Sequence, residues 1–153
     1  MLRIKDVVQS KSSAIWSVSP KDSAFKAIEL MTEKNIGALL VIDEEEVVGI
    51  VSERDIARKV VLKELSPKEV PVEQLMTKEI YCITPDKLVE ESMGVMTSAH
   101  IRHMPVLQNG RLTGVITFAD ISKALLMEQK IKIQDLENYS SCSNIVSYND
   151  NDL

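Results

Sequence analysis

The sequence predicts an α/β fold of the α+β kind, built from two tandem copies of one β-α-β-β-α unit. Three observations predict it: an internal repeat of fixed period, apolar spacing that switches between helical and strand-like, and a recurring hydroxyl-x-x-acid motif. The stretches opening at Val18-Ser19-Pro20 and Ile83-Thr84-Pro85 stay in step, without a gap, to Asp55-Ile56 and Asp120-Ile121. Along that register Pro20/Pro85, Met31/Met96, Thr32/Thr97, Ile36/Ile101, Val41/Val106, Gly49/Gly114, Asp55/Asp120 and Ile56/Ile121 are identical. A constant period of this length marks two copies of one supersecondary unit.

Each element follows from local pattern. Ala14 to Val18 and Ile80 to Ile83 read as short strands, each stopped by a Ser/Thr-Pro pair. A helix follows, with the apolar stripe Ala24, Ala27, Ile28, Met31 in copy one and Val89, Ser92, Met93, Met96 in copy two. The i, i+3, i+4, i+7 spacing gives one buried helical face. Ala38 to Ile42 and Val47 to Val51 then form a β-hairpin around the acidic turn Asp43-Glu44-Glu45-Glu46. His103 to Leu107 and Leu112 to Ile116 do the same around Asn109-Gly110, a strong hairpin signal. A second helix closes each copy, near Glu53 to Lys63 and Phe118 to Met127, the latter continuing to about Leu136.

These elements place the first unit at residues 5–64, a Pro-bearing linker at 65–72, and the second unit at 73–128. Residues 129–153 form a helical extension and a polar tail, with disorder expected from Ser140 onward. A half of about 60 residues buries too little surface to stand comfortably alone, so the copies are expected to share a core.

Composition narrows the function. The chain has 153 residues, 44% hydrophobic and 27% charged, with net charge −5. That acidity offers no footprint for a nucleic-acid backbone or an anionic membrane. No apolar run is long enough to cross a bilayer, and the N-terminus lacks a signal-peptide h-region, so a cytoplasmic location is expected. Cys82 and Cys142 have no metal spacing, and Cys82 is expected to be a buried free thiol. The sequence contains no zinc-protease, nucleophile-elbow, P-loop or Rossmann signature, and only His100 and His103 could serve as histidine bases. A non-catalytic protein without a metal site is expected.

The informative motif ends each hairpin: Gly49-Ile50-Val51-Ser52-Glu53-Arg54-Asp55 and Gly114-Val115-Ile116-Thr117-Phe118-Ala119-Asp120. Ser/Thr-x-x-Asp before a helix can simply cap it. Its double occurrence in register, with Gly at the same place, fits a ligand site better. An ionised Asp accepts both hydrogens of a ribose cis-diol, Ser52 or Thr117 adds a hydroxyl, and a helix start suits phosphate. Arg54 supplies positive charge in copy one. Copy two has Ala119 there but offers Arg102-His103, where copy one has Gly37-Ala38, so the two clefts should differ.

The repeat, Ser19-Pro20/Thr84-Pro85, Arg102-His103-Met104-Pro105-Val106 and the Gly-to-Asp motif resemble the cystathionine β-synthase (CBS) domain pair. Asn35 to Val41 with Ser52 to Asp55 is similar to the stand-alone pairs of bacteria and plant organelles. The resemblance covers residues 5 to 127 and implies two units packed with pseudo-two-fold symmetry. It further implies binding of AMP, ADP, ATP, NAD(H) or S-adenosylmethionine, AMP foremost, as a regulatory ligand in clefts between the copies. By that resemblance Asp55 and Asp120 hold ribose, Ser52 and Thr117 are the hydroxyl positions, and Arg102 and His103 the basic ones. Ser19 and Thr84 become further cleft positions, and Ile15 and Ile80 flank the base. Homodimerisation is implied too. The rival reading is a ligand-free interaction module regulating a partner such as a thioredoxin-type protein or a metabolic enzyme.

Overall fold

Both hairpins form in the register the repeat requires. The computed structural model describes the backbone of residues 1–11 and 14–149, and side chains as far as Ser140. In chain order the elements are α1 (Ile4–Ser10), β1 (Ser17–Val18), α2 (Ala24–Lys34), β2 (Ala38–Asp43) and β3 (Glu46–Ser52). There follow α3 (Glu53–Ile56), a π-helical turn (Ala57–Val61) and a 3-10 turn (Val72–Gln74). The second half adds α4 (Val89–Ser98), β4 (His103–Gln108), β5 (Arg111–Thr117) and α5 (Phe118–Asn149).

In the first half β1 pairs parallel to β2, and β2 antiparallel to β3. In the second, β4 pairs antiparallel to β5, and Ile83 makes a single parallel bridge to Val106 where Val18 pairs with Val41. Each hairpin slips register at the same place, after Val41 and after Val106. Asn109 and Gly110 both take positive φ (52° and 76°), as the tight primed turn demands. Glu44 and Glu45 adopt the same left-handed pair (45° and 70°) without a glycine, a conformation unfavourable for L-residues.

Several sequence expectations need correction. The strand expected at Ala14 to Val18 is reduced to Ser17–Val18, and the one at Ile80 to Ile83 to the bridge at Ile83. Pro20 and Pro85 close the pairing on one side, and little else pairs upstream. With no strand around it, Cys82 is exposed rather than buried. The helix after β3 is α-helical only to Ile56 before widening, with the Leu62 amide donating to the Ala57 carbonyl at 3.0 Å. α5 passes the expected end near Leu136 and runs to Asn149, and Asp150 to Leu153 of the expected disordered tail lie outside the described residues.

The unexpected feature is that the halves exchange ends. One core joins Val18, Ala27, Met31, Val41 and Val51 to Val70, Val72 and Leu75 from the expected linker and beyond. The other joins Val89, Met96, Met104, Ile116 and Ile121 to Ile4 and Val7 of α1. The hairpin-centred repeat does not include α1, yet its Ile4, Val7 and Val8 carry helical spacing.

Hydrogen bonds make the exchange symmetric. The Ala24 amide donates to the Val70 carbonyl (2.9 Å), and Val89 to Leu2 (3.0 Å). In return Val72 donates to Asp22 (2.8 Å), and Ile4 to Lys87 (2.9 Å). Leu2 to Lys11 thus plays in the second half the part that Val70 to Glu79 plays in the first. Cutting the chain at residues 64 and 73 would sever the first half from part of its core. Neither half is complete from a contiguous run, and in place of the one shared core expected the buried residues form two clusters, each half borrowing a segment from outside its own repeat to close its own.

Candidate clefts between the two halves

Ser52 begins α3 with extended backbone and caps it. Its Oγ accepts from the Asp55 amide at 3.1 Å and donates to Asp55 Oδ2 at 2.9 Å. The Ser52 amide also donates to Asp55 Oδ2 at 2.9 Å. Thr117 and Asp120 repeat the plan: the Thr117 amide donates to Asp120 Oδ2 (2.8 Å), and the Asp120 amide to Thr117 Oγ1 (3.1 Å). Capping therefore takes place in both copies, and it consumes one carboxylate oxygen each time. The helix starts are also less open to an anion than expected, because the Glu53 and Phe118 amides donate to Gly37 and Arg102 carbonyls.

Cleft one has a volume of about 450 Å³, within the roughly 300–1,000 Å³ usual for small-molecule sites. Ser52, Arg54, Asp55, Ile80, Arg102 and His103 all line it, so residues from both halves meet there. Tyr81, Glu79 and His100 line it as well. Lys59, one turn along from Asp55, reaches Asp55 Oδ1 at 3.2 Å and the Leu75 carbonyl at 2.7 Å, and it is not part of the cleft wall. A wider groove of about 770 Å³ adjoins through Arg54, His100, Arg102 and His103.

Cleft two is smaller, about 220 Å³, and more apolar, with Ile15, Trp16, Leu40 and Val115 around Lys11, Lys34, His103 and Thr117. The Lys34 ammonium lies 4.3 Å from the centre of the Trp16 ring, a cation–π contact. Asp120 does not line this cleft. Lys11 Nζ stands 2.6 Å from Asp120 Oδ2 and 3.3 Å from the Val115 carbonyl.

The charges here shift acidities. Burial would push the Asp120 carboxyl up, but Lys11 and the Thr117 amide and hydroxyl outweigh it and hold it below the usual 3.8. His103 touches both clefts. Burial, then the Lys11 charge, hold its imidazole below the ordinary 6.5; Asp120 pulls the other way and Arg102 adds to the depression.

Ile15 and Ile80 fall in opposite clefts, as expected for equivalent positions. Ser19 and Thr84 do not line either cleft. The Ser19 amide caps a turn through Asp22 Oδ2 (2.8 Å), and Thr84 opens onto a separate surface hollow near Arg3 and Lys5. Gly49 and Gly114 do not make room for a ligand either. A Cβ at Gly49 would lie 2.5 Å from Met76 Sδ, and one at Gly114 2.8 Å from Val8 Cγ1. The glycines admit the exchanged segments instead.

Sequence reasoning missed Lys11, Glu79, Tyr81, Trp16 and Lys34. The first two sit on the exchanged segments, and aligning Leu2 to Lys11 with Val70 to Glu79 would have flagged them. Among the described residues no cluster of His, Cys, Asp and Glu could hold a metal, and no helix is long and apolar enough to cross a membrane.

Fold and clefts together define a duplicated α+β module whose halves face each other across cavities. The CBS domain family model matches twice, at residues 4–62 and 72–127, and the chain belongs to that family. It is 32% identical over 146 residues to the mitochondrial CBS domain-containing protein CBSX3 of Arabidopsis thaliana, covering 89% of this chain and 70% of that one. An uncharacterised protein of Bacillus subtilis, YlbB, is 32% identical over 125 residues, covering 80% and 81%. Among solved structures, one described as a candidate signal-transduction protein with CBS domains, from Burkholderia ambifaria, matches at TM-score 0.80 and 40% identity, covering 84% and 96%. A hexameric CBS-CP12 protein from bloom-forming cyanobacteria matches at TM-score 0.69 and 27% identity, covering 79% and 69%.

Proposed function

We propose that this chain is a non-catalytic regulatory module that binds an adenosyl ligand between its two halves, AMP foremost, with ADP, ATP, NAD(H) or S-adenosylmethionine as relatives of the same chemistry. One observation carries the reading. Asp55 faces a cleft of about 450 Å³ that also holds Arg54, Arg102 and His103. Capping already uses Asp55 Oδ2, so Asp55 Oδ1, which Lys59 reaches at 3.2 Å, is the oxygen left to accept from a sugar hydroxyl, while the two guanidiniums suit phosphate oxygens that they can meet in a fork. Ile80 and Tyr81 offer an apolar and aromatic wall for a flat base.

A ligand touching both halves favours one relative arrangement of them by as much as its affinity differs between arrangements. That arrangement, in a homodimer or toward a protein partner, is the signal. Thermal shift with AMP, ATP, NAD and S-adenosylmethionine tests the reading. A ligand of the folded form at 100 times its dissociation constant stabilises by about 2.7 kcal/mol. Mass spectrometry of small molecules released on denaturation identifies what co-purifies. No shift with any of the four would leave the ligand-free interaction module as the better account.

A further inference from the structure

One histidine stands where three cavities meet. His103, the first residue of β4, lines cleft one, cleft two and the adjoining groove. It shares the wall of cleft one with Arg54 and Arg102, and these three, with His100, also line the groove. Among the described residues no carboxylate lines the groove, whereas Glu53, Asp55 and Glu79 line cleft one. The charge pattern therefore directs an anionic group toward the groove end of cleft one, beside His103.

The surroundings of His103 set its protonation. From the side of cleft two come Lys34 on α2 and Lys11, which stands 2.6 Å from Asp120 Oδ2. From the side of cleft one come Arg102 and, on α3, Arg54, opposed by Glu53, Asp55 and Glu79. Burial first, then the Lys11 charge, keep the imidazole neutral near pH 7, since they hold it below the ordinary 6.5. A phosphate among Arg54, Arg102 and His103 brings negative charge to this half-buried ring and favours the imidazolium. The imidazolium donates from both ring nitrogens, where the neutral ring donates from one. The bound state then holds more protons than the free state. Binding therefore strengthens as pH falls from neutral, and it levels off below the pKa of the free protein.

We propose that His103 takes up a proton when a phosphate-bearing nucleotide occupies cleft one, so that the module binds its ligand more tightly as its surroundings acidify. The inference rests on the nucleotide reading above and deepens it with a regulation of the same site. The repeat makes the device one-sided: Ala38 is the equivalent residue of the first copy and lines the same two clefts, but it cannot titrate.

Isothermal titration of the whole chain with AMP, ATP, NAD and S-adenosylmethionine, in pairs of buffers of different ionisation heat, counts the protons taken up. For a phosphate-bearing ligand the native chain should take up more protons than His103→Gln, by up to about one per ligand, between about pH 7.5 and 5.5. Affinity should rise over that range by at most about tenfold per pH unit, and His103→Gln should lose that slope. NAD separates the histidine from the ligand: its phosphodiesters do not titrate there, unlike the AMP phosphate with a second pKa of about 6. Circular dichroism confirms that both chains are folded at each pH. Equal proton counts in the native chain and His103→Gln would overturn the proton link while leaving nucleotide binding in place. Binding confined to S-adenosylmethionine, which carries no phosphate, would overturn it too. Absence of binding by all four ligands overturns the functional reading itself, and the link with it.

Discussion

Met76 Sδ lies where the side chain of any larger residue at position 49 would begin, 2.5 Å from an ideal Cβ on Gly49. The contact joins the segment after the linker to the middle of β3, and Val8 on Gly114 repeats it in the other half. These glycines are thus the seats of the exchanged ends. Overpacking costs typically about 1–3 kcal/mol. Gly49→Ala and Gly114→Ala should each lose stability on that scale in urea unfolding. The second should cost more, because the β-branched Val8 is stiff at χ1 while methionine adapts. Recovery of part of the Gly49→Ala loss on adding Met76→Ala would confirm the contact; an unchanged midpoint for both single variants would refute it.

Asp55→Asn should leave the fold intact, since asparagine serves as an acceptor at the same cap. Nucleotide affinity should fall tenfold or more, as hydrogen bonds to a charged group are worth about 1.5–3 kcal/mol. Calorimetry measures the loss, and a melting temperature near that of the native chain excludes unfolding as its cause.

His103 makes stability depend on pH. Its folded pKa is depressed, so the folded state favours the neutral imidazole and the unfolded chain binds more protons on acidification. Stability should therefore fall as pH drops below about 6.5, until the lower folded value is passed. His103→Gln should flatten this slope in denaturant midpoints taken between pH 7.5 and about 5. Asp120 adds a separate loss at more acid pH: its lowered carboxyl gives stability present above the ordinary 3.8 and lost as pH falls through the folded value.

Ending the chain after Glu128 should scarcely change the melting temperature. α5 contributes Ile121, Ala124 and Leu125 to the second core, whereas Ile131, Ile133 and Leu136 are exposed. A helix extension with no buried face adds little to stability. A large drop in melting temperature, or a change in molecular mass by light scattering, would show that those apolar side chains are buried against another copy.

Much of the architecture is legible in the sequence because hairpins and amphipathic helices are local. The Asn109-Gly110 turn, the stripe Ala24, Ala27, Met31 and the doubled Ser/Thr-x-x-Asp caps each depend on residues a few positions apart, and all occur in the structure. Asp55, Arg54, Arg102, His103 and Ile80 are candidates from sequence and stand in one cleft. Ser19 and Thr84 are candidates too, yet they sit away from both clefts, since a position in the register carries no information about direction in space.

By itself, then, the sequence determined the duplicated unit, its hairpins and helices, and the carboxylate that begins each closing helix. Only the tertiary structure decided that Leu2 to Lys11 completes the distant half and that Lys11, not Glu79, faces Asp120. The physical reason is range. Periodicity reports which face of an element avoids water, but it is silent on which separate segment covers that face. An ion pair between residues 11 and 120 exists only once the covering segment has been placed.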